Sequence, residues 1–172
     1  DPPVTKLKPL GVKDLEAYLK QEGIPGEILI LDSPTPTVET AAKALGIEPD
    51  QIVKSILFMI NEEPVLALGC GLDLIDRRLV GKYFEVGRKK VKMADADGVL
   101  KYGGYPIGTV PPIGHRQLIP TLMDEKILRH EVVYVGGGAH NAMLRMKAKD
   151  VLQFSNAVVL DLSTPKNMSK GK

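Results

Sequence analysis

Apolar positions along this chain fall into short blocks, each with its own period. Val12, Leu15 and Leu19 recur at the spacing of one helix face, and Gly23 followed by Pro25 ends the run, so a helix is expected over Val12–Glu22. Residues 27–32 form an apolar run that predicts a strand, stopped by Pro34 and Pro36, which lack backbone donors. Thr37 stands in N-cap position for a helix over Val38–Leu45, with Gly46 as its stop. Residues 52–60 are rich in β-branched side chains and apolar on both alternating faces, which predicts a central strand. Residues 65–68 pair with it across 61–64 as a hairpin.

Asp73 is placed to cap a helix running to Tyr83, with Leu74, Leu79 and Val80 turned inward. A short helix is expected at 95–100 and a loop rich in glycine and proline at 103–114. Strands follow at 131–135 and 142–146, then a helix at 148–154 and a last strand at 157–160. Strands and helices mix without strict alternation, so the class is α+β. With 172 residues the chain makes one domain, assigned to residues 1–162, and the polar residues 163–172 read as a flexible C-terminal tail.

Composition narrows the function. A hydrophobic share of 44% supports a packed core, and 17 Gly with 13 Pro disfavour a helical bundle. The net charge of +2 excludes a uniformly basic protein. One cysteine, Cys70, excludes an internal disulfide framework and a Cys-based zinc cage. Its reading is that of a small buried residue. His115 and His130 are isolated, and no histidine or carboxylate cluster has metal-ligand spacing, so neither metal nor other cofactor is expected. The apolar runs are too short to span a membrane and no signal-peptide pattern is present. The expectation is a cytoplasmic protein, although the chain begins at Asp1 without an initiator methionine.

Four features carry chemistry. Lys54 interrupts an otherwise apolar strand; either it snorkels from the strand end or it occupies a pocket with an anionic partner. The loop from Gly104 to Gly114 combines permissive glycines with stiff prolines, either as a tight corner or as preorganised amides for an oxyanion or phosphate. Gly136-Gly137-Gly138-Ala139-His140-Asn141 is no dinucleotide fingerprint; His140 either borders a site or is an ordinary surface residue. Residues 77–92 collect Arg77, Arg78, Lys82, Arg88, Lys89, Lys90 and Lys92 against Glu85 alone, which is either a solvated face or a footprint for a phosphate backbone.

Taken in order, residues 37–46, Ile52-Val53-Lys54-Ser55-Ile56-Leu57-Phe58, Gly87-Arg88-Lys89-Lys90-Val91-Lys92-Met93-Ala94, the loop 104–114 and Val135-Gly136-Gly137-Gly138 resemble the YbaK/ProX-type aminoacyl-tRNA deacylases. That family includes the inserted editing domain of bacterial prolyl-tRNA synthetases, and the resemblance runs from about Thr37 to Leu160. It implies a compact domain with a curved, barrel-like mixed sheet and flanking helices. The family's invariant lysine falls on Lys54, and its Gly-x-x-x-Pro loop on Gly108, Thr109 and the residues up to Pro112. Some alanine-specific members carry a histidine near the position of His140; those members have Asn after the lysine, where this chain has Ser55.

The implied activity is hydrolysis of the ester of a mischarged tRNA, such as tRNA-Pro bearing Ala, Cys or another small residue. A synthetase pocket separates neighbours that differ by one methylene by only about 10–200-fold, so a second site must remove the error. In this reading Lys54 holds the terminal phosphate or polar groups of the substrate, and amides near Gly108 stabilise the oxyanion. Ser55, Thr109, Pro112, Gly137, Gly138 and His140 border the aminoacyl pocket. Arg88, Lys89 and Lys90 engage the acceptor stem. The expected partners are aminoacylated tRNA and prolyl-tRNA synthetase, with no membrane. The alternatives are a non-catalytic RNA-binding or synthetase-associated module, and a hydrolase of free esters, which leaves the basic segment without a purpose.

Overall fold

Local signals set the first two helices. In the structure, a computed structural model that describes residues 8–166, helix α1 spans Val12–Glu22 and buries Leu15 and Leu19. Strand β1 covers Glu27–Ile30 and helix α2 Val38–Leu45. Thr37 and Thr40 cap α2 reciprocally: the Thr40 amide donates to Thr37 Oγ1 at 3.1 Å and the Thr37 amide to Thr40 Oγ1 at 3.0 Å. Gly46 closes the helix in the left-handed region.

Strands β2 (Val53–Ile60) and β3 (Glu63–Cys70) form the expected hairpin, but its turn is shorter than the sequence suggests. Asn61 and Glu62 alone make it, both with positive φ, as a two-residue turn matched to strand twist requires. Pro64 therefore lies inside β3. It is tolerated because the next strand on that edge begins pairing only at Leu66.

The helix expected from Asp73 starts later. Leu74–Ile75 form strand β4, and Asp76 caps helix α3 (Arg77–Tyr83) by accepting the Arg78 amide at 2.9 Å. Leu74 is exposed rather than turned inward. The cause is nonlocal: β4 pairs antiparallel with Ser163–Thr164, strand β10, so residues 163 and 164 belong to the fold and not to a tail. Residues 167–172 of the expected tail lie outside the described residues. Between these come β5 (Val91–Met93), α4 (Ala96–Gly98) with a π-helical turn over Val99–Gly103, and β6 (Thr121–Asp124). Then follow β7 (Val132–Gly136), β8 (Ala142–Lys147), α5 (Ala148–Ser155) and β9 (Val158–Leu160).

The class is α+β with a mixed sheet, as expected. Five strands run β5-β2-β3-β6-β9, three run β1-β8-β7, and β10 and β4 pair separately, so the strands of the described residues do not close into a barrel. The β3-β6 and β6-β9 pairs are parallel and the remaining strand pairs antiparallel. A single parallel bridge, Ile52 to Tyr134, joins the two larger sheets. Alternation along β2 sends Val53 and Leu57 into a core shared with Leu15, Val135 and Leu144, and Phe58 and Ile60 into a second core with Val80 and Leu162. The central sheet is thus covered on both faces, and the cleft opens near that bridge, where α2 packs Ala41 and Ala42 with Ile52 and Met143.

Candidate active site

The entrance of β2 brings two polar residues, Lys54 and Ser55, to a cleft of about 260 Å³. Across it lie Gly108, Val110, Gly136 and Met143, and the segment from Thr35 to Val38 with Ala41 forms the remaining wall. The wall is mostly small or apolar, which suits a short side chain better than a long one.

Lys54 is held from behind. Its cross-strand partner is Gly69, where a β-carbon would stand 3.7 Å from Lys54 Cε and 2.9 Å from Ile75 Cγ1. The absent side chain leaves room for Ile75, while the lysine stem passes at ordinary contact distance. The ammonium donates to the Gly71 carbonyl at 3.3 Å and to the Asp73 carbonyl. Burial pushes the amine below its ordinary value, while the Asp73 carboxylate pulls it back toward the charged form. The lysine is therefore no simple snorkel, and among the described residues it forms no ion pair with a carboxylate. Next to it, Ser55 Oγ is enclosed and has no hydrogen-bond partner among the described residues, an unsatisfied group at the edge of a cleft.

The glycine-rich segments brace each other. Gly108 has φ +86°, a conformation costly for any residue with a β-carbon. Thr109 is buried and gives both its amide (3.1 Å) and its hydroxyl (2.7 Å) to the Pro106 carbonyl, so it shapes the loop. The Gly138 amide donates to the Thr109 carbonyl at 3.0 Å, and a β-carbon at Gly136 would lie 2.2 Å from the Val110 oxygen. Gly137 faces the backbone of Ala142. Pro112 is buried and lines a separate groove with His115. His140 is exposed beside Gly108; a β-carbon on that glycine would lie 3.6 Å from His140 Cε1. The His140 and Asn141 carbonyls accept from Thr35 and Leu31 at 3.0 and 2.7 Å, which ties the two cleft-forming loops together.

The structure thus gathers Lys54, Ser55 and Gly108 around one cleft, with His140 exposed beside Gly108 rather than in the cleft lining. It places Arg88, Lys89 and Lys90 elsewhere, on an exposed single turn leading into β5. Val91 pairs with Ile60, six residues along β2 from Lys54, about 20 Å at 3.3 Å per residue. Cys70 is buried, and burial, with Asp50 next, pushes its thiol up to about 12. His130 is engaged by Asp50 at 2.8 Å. Among the described residues no group of three His, Cys, Asp or Glu side chains is placed to hold a metal ion, and no helix is long and apolar enough to cross a membrane. The cleft wall at Thr35–Thr37 is not legible in the sequence, because Pro36 and the preceding Pro34 signal only the end of a strand. The Asp73 carbonyl is equally silent, because a backbone acceptor leaves no mark on residue type.

Residues 32–154 match the family described as the aminoacyl-tRNA editing domain. The chain belongs to that family. It is 31% identical over 128 residues to a proline–tRNA ligase of Limosilactobacillus fermentum, a match covering 72% of this chain and 21% of the ligase. The chain therefore spans about a fifth of that relative. It is 24% identical over 147 residues to the uncharacterized protein YwhH of Bacillus subtilis, covering 85% of this chain and 92% of that one. Among solved structures, a candidate trans-editing enzyme for prolyl tRNA synthetase superimposes with a TM-score of 0.83 at 29% identity, covering 89% of this chain and 96% of that one. The hypothetical protein APE2540 superimposes with a TM-score of 0.80 at 30% identity, covering 88% and 99%. The matched segment includes Lys54, Ser55, Gly108 and His140, so the cleft lies within the editing domain itself.

Proposed function

We propose that this editing domain is a trans-acting deacylase that hydrolyses the ester of a tRNA charged with a small wrong amino acid, tRNA-Pro carrying Ala or Cys being the leading substrate. The observation that carries this reading is the cleft itself, a small apolar-walled space with a partly buried amine, an unpartnered hydroxyl and a glycine loop at its rim. The aminoacyl side chain sits among Val38, Ala41 and Met143, whose walls exclude larger residues. Lys54 holds the terminal phosphate or the 3′ ribose, and Ser55 Oγ accepts from the amino group. Water adds to the ester carbon, assisted by the neighbouring ribose hydroxyl, and the C–O bond to the ribose breaks as its oxygen takes up a proton. The negative charge that develops on the carbonyl oxygen meets the amides around Gly108; one such donor contributes about 10²–10³ in rate. His140 borders the aminoacyl group. Arg88, Lys89 and Lys90 meet the acceptor stem, and the tRNA would be encountered in the cytoplasm, near prolyl-tRNA synthetase.

The test is a panel of tRNAs charged with Ala, Cys, Ser and Pro, assayed with wild type and Lys54→Ala. Wild type is expected to deacylate at least one small mischarged residue and to spare Pro. Lys54→Ala is expected to abolish that activity with little change in melting temperature. Binding of tRNA without hydrolysis of any member would favour the non-catalytic module instead.

A further inference from the structure

Asp73 is gripped at both ends. Its carboxylate takes the Lys126 ammonium at 3.0 Å, and the same ammonium donates to Ser163 Oγ at 2.9 Å. Its carbonyl accepts from Lys54. Lys126 is itself anchored: its amide donates to Asp124 Oδ1 at 2.8 Å, and buried Asp124 takes the Leu162 amide on its other oxygen at 3.3 Å. The Lys126 and Asp73 side chains are 19% and 27% exposed, so water competes less than at an open surface pair. The segment they hold, between β3 and β4, contains Gly71 at φ +64° and exposed Leu72.

We infer that Lys126 is a positioning residue for Lys54: acting through Asp73 and Ser163, it fixes the carbonyl that aims the Lys54 ammonium at the substrate. This rests on the reading of Lys54 as a substrate contact. A misplacement of about 1 Å in such a group costs on the order of 10²-fold in rate. The charged and titratable groups around Lys54 are Asp73 and Cys70, from β3 and the loop after it, and Lys166, beyond β10. The Asp73 carboxylate favours the charged amine.

The experiment measures deacylation kinetics and melting temperatures for Lys126→Met, Lys126→Arg, Asp73→Asn and Lys54→Ala. Lys126→Met is expected to lower kcat about ten- to a hundredfold with KM changed less than twofold, and Lys126→Arg to recover most of the loss. Asp73→Asn keeps the backbone carbonyl but removes the charge that favours the protonated amine, so the alkaline limb of the pH–rate profile moves to lower pH. Wild-type kcat in Lys126→Met beside an inactive Lys54→Ala overturns the inference and leaves the function standing. So does a Lys126→Arg variant no better than Lys126→Met. Activity retained in Lys54→Ala overturns the role of Lys54 first, and this inference with it. Should Lys126→Met fail to fold, Asp73→Asn, which breaks the same ion pair, decides alone, and a wild-type kcat at its pH optimum rejects the positioning role.

Discussion

At Gly136 the missing β-carbon is what lets two backbones meet, since the Val110 oxygen occupies its place. Gly136→Ala is expected to push loop 108–110 away, to destabilise the domain by about 1–3 kcal/mol, as overpacking does, and to abolish deacylation. Urea unfolding and the charged-tRNA assay on one preparation check both. Gly108 is different: a β-carbon there meets only ordinary contacts with His140, so the cost of substitution is in its backbone angle. The sequence marks both glycines as unusual without telling these roles apart. It likewise marks Lys54 as out of place in an apolar strand, whereas the two carbonyls that hold its ammonium follow only from tertiary approach.

Elements whose ends are set by neighbouring residues are legible in the sequence. The Thr37–Thr40 capping box and the left-handed glycines after α1 and α2 place those helices within the expected bounds. Elements set by distant partners are not. Asp73 and Asp76 both have the chemistry to cap α3, and the choice falls to Asp76 because Leu74 and Ile75 are drawn into pairing with Ser163 and Thr164, far along the chain. Strand β6 is four buried residues with no alternation to announce them, yet it lies between β3 and β9. Pro64 signals the edge of a strand by its chemistry, and only the late start of β6 pairing lets β3 run through it. The tight turn that results yields a stabilising prediction. Glu62 sits at φ 66°, where glycine carries no steric cost. Glu62→Gly is expected to raise stability by about 0.5–1 kcal/mol after glycine's greater unfolded-state entropy is offset, seen as a higher urea midpoint with unchanged slope.

Over the whole molecule, charge and cleft are set apart. The Arg88, Lys89 and Lys90 turn stands at one end of β2 and Lys54 at the other, a separation that suits a duplex gripped by its phosphates while a single-stranded end reaches the cleft. Neutralising the three residues together is expected to weaken tRNA binding and to flatten its dependence on salt by about 0.7–0.9 for each phosphate no longer neutralised. A slope equal to that of wild type would remove this turn from the interface. The order of strands has another consequence. β1, among the first residues of the domain, pairs with β8, near its end, and the loop at Thr35 is fastened to His140. During synthesis on the ribosome the cleft therefore stays unfinished until residues beyond 140 have left the exit tunnel. A nascent chain shorter than that already carries the Arg88–Lys90 turn but lacks the wall that Met143 and the His140 loop complete.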